Sequence, residues 1–260
     1  MVDLRPGANS IIGTEIVARA QPDGYTMLLA LPAFVINPHV YRKLPYSIRD
    51  FAPITNIASA SYLMLVNPAV SARNPRELIA LAKASPGKLN FGSGGTASPA
   101  HLAMELFMDS ARVAMIHVPY KGGAPALTDL IAGQIQVLIN PALSAAAHVR
   151  SGRIRAIAVT GSERSKIFPE LPTIAESGLK GYEVITWYGL FALAKTSTAL
   201  IARVAKSVRG ALDDDEVQRK IVSLDAKPLG TSPADFTAFV RSEERRWQAV
   251  VRNAKVSLDR

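Results

Sequence analysis

The stretch LNFGSGGTASPAHLAMEL, residues 89–106, passes without a break from an apolar strand through a glycine-rich loop into a helix. Gly92, Gly94 and Gly95 allow a tight turn that brings backbone N–H groups close to a ligand. Ser98 is a natural N-cap and Pro99 suits the first helical position. Leu102, Leu106 and Phe107 form the buried stripe of a helix predicted to reach Asp109. The unpaired N–H groups of such a helix start lie at the positive end of its dipole and favour a carboxylate or phosphate. A strand-to-helix turn can also be rich in Gly and Ser merely in order to turn, so the loop alone identifies nothing. It lacks the Gly-Lys-Ser/Thr ending of a P-loop, the dinucleotide glycine spacing and a Gly-x-Ser-x-Gly elbow. Ser98 and His101 are within reach across the first helical turn, but no orienting acid accompanies them. Ser98 therefore reads as a cap rather than a nucleophile.

The 260 residues, nearly half of them hydrophobic, suffice for one large core or two modest ones. No run approaches the ~20 apolar residues of a membrane span, and Asp3 and Arg5 stand where a signal peptide would be apolar. The absence of cysteine excludes disulfides and thiolate chemistry and suits either cytosol or periplasm. His39, His101, His117 and His148 show no metal-ligand spacing, and no cofactor motif is present. The net charge of +9 is scattered among acids, as in RSEERRW at residues 241–247, so a nucleic-acid partner is not expected.

Along the chain, strands are predicted at residues 2–4, 25–30, 51–58, 62–66, 113–118, 136–140, 154–159 and 182–194. Helices are predicted at 11–20, after Asn74, to about 132, at 142–150, 171–178, 199–212, 215–224 and from Ser232 onward. Arg5-Pro6-Gly7 reads as a turn, and residues 31–46 as a proline-punctuated connection holding one helical turn. Phe236, Phe239, Val240, Trp247, Val250 and Val251 recur at helical spacing, which makes the last helix amphipathic and Trp247 a core residue. Strands alternating with helices predict an α/β fold, a largely parallel sheet and ligands at the strand C-termini. The second glycine-rich loop, PYKGGAPAL, falls at the same edge.

Several motifs in order resemble the Bug/TctC family of periplasmic solute-binding proteins, the receptors of tripartite tricarboxylate transporters. They are RPGAN (5–9), PDGYTMLLA (22–30), INPHVYRKLPY (36–46), PGKLNFGSGGTASPAHLAMELF (86–107), HVPYKGGAPALTDLIAGQ (117–134), GRIRAIAVTGSERS (152–165) and LPTIAESGLKGYEVITWYGLFA (171–192). The resemblance implies a two-lobed type II periplasmic-binding fold with mostly parallel sheets and a carboxylate in its cleft. Residues 1–67 with 185–260 would form one lobe and 68–184 the other, hinged at 62–67 and 185–193. Carried over to the glycine-rich loop, it makes Ser93, Gly94, Gly95, Thr96 and Ser98 ligand contacts. Asn140 stands where many relatives carry Asp, and the LPAF region, residues 30–35, is more apolar than is usual, so ligand preference is expected to differ. Lys121 is placed either to meet a carboxylate or to remain solvated, and both readings stay open.

By the same resemblance the sequence starts inside the family's second strand. The secretion signal, first strand, Pro-Gly-Gly loop and first helix, at least roughly 30 residues, would precede it, and a chain lacking them is expected to bind acids weakly. The function implied is an extracytoplasmic receptor that captures a small di- or tricarboxylate or related acid. It would be periplasmic when complete, monomeric, partnered by the membrane subunits of the transporter, and not an enzyme. The alternatives are a ligand-sensing regulatory module of the same fold and an acyl- or phosphoryl-transfer enzyme, for which no nucleophile, base and orienter converge on one loop.

Overall fold

The computed structural model describes residues 1–5 and 7–258, so Pro6 of the expected Arg5-Pro6-Gly7 turn lies outside the described residues. The chain divides into two compact units, Met1–Ser59 with Thr186–Arg260, and Ala60–Ile185.

The continuous unit takes in the second half of β2 (Phe51–Val66), then α3 (Pro75–Ala84), β3 (Asn90–Ser93), α4 (Pro99–Ala111), β4 (Ile116–Pro119), α5 (Gly123–Ile131), β5 (Val137–Pro141), α6 (Ala142–Arg150) and β6 (Arg155–Val159). Strand β3 lies parallel between β4 and β5, while β2 runs antiparallel to β5 and β6. The register Ser93↔Pro119 and Gly92↔Leu138 brings the C-terminal ends of β3, β4 and β5 to one edge. Helices α4, α5 and α6 each follow one of these strands, so all three start at that edge. Beneath them Leu63, Leu65, Leu130, Leu138 and Ile154 form a core closed to solvent, which holds the strand ends in register.

The discontinuous unit contains α1 (Ile11–Ala18), β1 (Leu28–Ala30), α2 (Ala33–Val40), β7 (Ile185–Leu193), α7 (Thr198–Leu212), α8 (Asp215–Ser223), β8 (Ala226–Pro228) and α9 (Pro233–Ala254). Strand β1 pairs antiparallel with β7. The core is aromatic: Phe191 lies 4.9 Å from Phe34 and 5.0 Å from Phe236, ring centre to ring centre. Gly189 makes room for this, since a Cβ there would sit 2.3 Å from Phe236 Cζ. The helical stripe of α9 buries Phe236, Val240, Trp247, Val250 and Val251 as its spacing predicts.

Several elements differ from the sequence reading. Residues 1–5 carry no strand, and β1 is confined to three residues. Residues 31–46 hold α2, two turns with Pro38 inside, because Phe34, Val35, Ile36 and Val40 are all buried and helix packing overrides the proline signal. The strands expected at 51–58 and 62–66 are one, β2, and β8 was not anticipated. The helix expected at 171–178 closes after a turn, in which Thr173 and Glu176 cap each other's backbone N–H. Among the described residues no helix is long and apolar enough to cross a membrane.

One buried acid ties β7 to α9. Glu243 Oε2 accepts from the indole N–H of both Trp187 and Trp247, at 3.1 Å each. A Glu243→Leu substitution strands two buried donors, and chemical denaturation should show a loss of about 2–4 kcal/mol. Glu243→Gln keeps an oxygen that accepts from both and should cost less than half as much.

Candidate functional site

The first two of the three strand-to-helix loops at this edge are knitted together by their backbones. Gly122 N–H donates to Gly94 O, and Tyr120 N–H donates to Ser93 O. A Cβ on Gly94 would lie 3.3 Å from Gly123 N, and one on Gly123 would lie 2.7 Å from Asn140 Oδ1. Glycine at both positions lets the first two loops approach this closely and lets Asn140 lie against the second without displacement.

The helix starts differ in how they are capped. Ser98 caps α4 by accepting from His101 N–H at 3.3 Å, whereas α5 starts at Gly122 and α6 at Pro141, neither with a side-chain cap. Their first-turn N–H groups therefore face outward with the positive dipole ends behind them. Above them is a groove of about 720 Å³, lined by Gly94 and Ser98 of the first loop, Gly123 and Ala124 of the second, and Asn140 and Ser144 of the third. It continues between α5 and α6 past Leu127 and Ile131 to His148 and Arg153. Two basic side chains and no acidic one line it. Asn140 Nδ2 donates to Ser144 Oγ at 2.8 Å, and Ser144 Oγ donates to Pro141 O. An aspartate at position 140 would lose that donor and place a negative charge in the groove.

A histidine pair, His101 buried and His117 half-buried, holds the first loop from below. Ala97 N–H donates to His101 Nδ1 at 3.0 Å, so the ring proton sits on Nε2, 3.2 Å from Glu105 Oε1. The His117 ring stacks on His101, with centres 3.8 Å apart, and its Nε2 is 2.7 Å from Ser93 Oγ. With the proton on His117 Nε2, every partner is satisfied: Ser93 Oγ accepts from His117 and from Gly95 N–H and donates to Gly95 O. Ser93 and His117 are at the distance of a nucleophile and its base, but Ser93 is fully buried and its hydroxyl is committed to the loop. Burial, and then the stacked His101, lower the pKa of His117 to about 4. Among the described residues no group of three or more His, Asp or Glu side chains is arranged to hold a metal ion.

The family model for the tripartite tricarboxylate transporter family receptor, TctC, matches residues 1–256. The chain belongs to the TctC family. It is 36% identical over 253 residues to the UPF0065 protein in the tcbD-tcbE intergenic region of Pseudomonas sp. strain P51, covering 96% of this chain and 75% of that one. It superposes on the solved structure of R. palustris Rpa4515 with adipate at a TM-score of 0.90 and 33% identity, over 99% of this chain and 87% of the other. MatC (Rpa3494) from Rhodopseudomonas palustris with bound malate gives a TM-score of 0.81 and 28% identity, over 94% and 85%. The fold is therefore that of the TctC binding proteins.

In this TctC receptor Gly94, Ser98 and Asn140 come together on the groove wall. Gly95, Thr96 and Lys121 are not among its lining residues, and Ser93 lies beneath the loop. The sequence reading missed Gly123, Ser144, His148 and Arg153. The repeated pattern of strand, small-residue loop and helix at Gly122-Gly123 and Pro141-Ala142 was the available signal for the first two.

Because folding keeps His117 neutral, the folded chain binds fewer protons than the unfolded chain between pH 6.5 and about 4. This contribution to stability is complete above pH 6.5 and is lost as pH falls towards 4. Native-state hydrogen exchange should show protection of β3, β4 and α4 falling across that window. His117→Gln should flatten the dependence relative to wild type.

Proposed function

We propose that this TctC receptor captures a small carboxylate, a di- or tricarboxylate or related acid, outside the cytoplasm. It would deliver the acid unchanged to the membrane subunits of a tripartite tricarboxylate transporter. The observation that carries this reading is the convergence of three helix starts, two of them without side-chain caps, on one groove with no acidic lining. A carboxylate there receives charge-assisted hydrogen bonds from N–H groups that nothing else on the helices' own side chains satisfies. The solved relatives with adipate and with malate support the same ligand class. Ser98, Asn140 and Ser144 add side-chain groups at the rim, and the Ser144 hydroxyl accepts from Asn140 Nδ2 and donates to Pro141 O, which suits capture without chemistry.

Calorimetry with adipate, malate and citrate should detect binding of at least one, with no product by mass spectrometry. Ala142→Pro removes one N–H at the first position of α6, where proline fits the helix and follows the extended Pro141. It should weaken binding by about 1.5–3 kcal/mol, roughly ten- to hundredfold, with helix content retained. Unchanged affinity in that variant would place the acid elsewhere, and turnover of the acid would sink the receptor reading.

A further inference from the structure

One buried polar side chain stands between the two uncapped helix starts. Asn140 directly precedes Pro141, from which α6 begins, and a Cβ on Gly123, the first residue of α5, would lie 2.7 Å from its Oδ1. Asn140 is 4% exposed and lines the groove. A carboxylate accepting from the first N–H groups of α5 and α6 sits beside this amide. The carbon next to that carboxylate, with whatever it bears, is then set against Asn140.

The amide is held in one orientation. Ser144 Oγ donates its proton to Pro141 O at 3.0 Å, so towards Asn140 it accepts, and Asn140 Nδ2 donates to it at 2.8 Å. Oδ1 is thereby turned to the Gly123 side. This corner offers a ligand substituent a neutral oxygen and no negative charge. Its surroundings are positive: the dipole ends of α5 and α6 are each equivalent to roughly half a unit charge, and the groove lining holds basic residues and no acid. An ammonium beside the carboxylate would meet like charge there. It would also give up the water around three N–H donors for one neutral acceptor. A hydrogen at the same carbon incurs neither cost.

We propose that Asn140 sets the sign of the group accepted next to the bound carboxylate, so that the groove takes plain carboxylic acids and rejects the corresponding α-amino acids. This deepens the carboxylate reading given above and rests on it. Aspartate has nearly the shape of asparagine, but at position 140 it would give an α-ammonium a full negative charge to pair with. Asn140→Asp should therefore turn the same groove towards α-amino acids.

The test is calorimetry on the whole chain with three matched pairs: succinate and L-aspartate, glutarate and L-glutamate, adipate and L-2-aminoadipate. The ratio within a pair isolates the ammonium from chain length. Wild type should bind the plain acid at least about tenfold tighter in every pair that binds, and Asn140→Asp should cut that ratio at least about tenfold, with the amino acid gaining in absolute affinity. Ser144→Asp brings a charge to the same corner from the exposed first turn of α6, where an acid favours the helix, and should shift the ratio in the same direction. Equal affinity within the pairs in wild type, or a ratio unchanged in both variants, would overturn the assignment with the carboxylate reading intact. So would loss of the plain acid without any gain for its amino partner, which marks a merely structural contact. Failure of every acid to bind wild type would overturn both.

Discussion

A helix that starts without a side-chain cap leaves backbone N–H groups unsatisfied, and the rest of the continuous unit follows from placing two such starts side by side. Parallel strands β4, β3 and β5 deliver α4, α5 and α6 to one edge, and the short register offsets between the strands keep those starts level. Water satisfies these groups when the groove is empty, and an acid replaces that water with charge-assisted bonds. The absence of a carboxylate from the lining is as important as the presence of donors. Asn140 supplies it by keeping a neutral amide bonded to Ser144.

Rigidity under the site comes from different chemistry. The loop at residues 93–98 turns through Gly95 at φ 130°, open to glycine, and Ala97 at φ 62°, which is disfavoured for a residue with a Cβ. Ser93, His117 and His101 hold it by a chain of hydrogen bonds and a ring stack, and burial favours the neutral form of His117. A Ser–His pair at hydrogen-bonding distance thus serves as a brace, and the burial of Ser93 and the bond from its hydroxyl to Gly95 O distinguish it from the start of a catalytic dyad.

What was legible in the sequence was local. The caps at Asn74, Ser98 and Ser232 are set by residues within one turn of themselves, and each holds in the structure. The loop-to-helix reading of residues 89–106 needed only glycine conformation and one N-cap. What was illegible depends on elements meeting across the fold. Residues 33–40 read as a connection because Pro38 dominates the local signal, whereas their burial makes them a helix. His148 and Arg153 are five apart and polar, and only the reversal at Gly152 and the neighbouring α5 turn them into the end of a groove. Glu243 gave no sign of joining two tryptophans from distant segments.

The most direct measurement is of the backbone donors themselves. Amide chemical shifts of uniformly ¹⁵N-labelled protein, followed during a titration with adipate, should move most at Ala124, Ala142, Leu143 and Ser144, in the first turns of α5 and α6, the two starts without side-chain caps. A titration in which an acid binds but these amides stay still while others shift would contradict the claim that the site is made from uncapped helix starts.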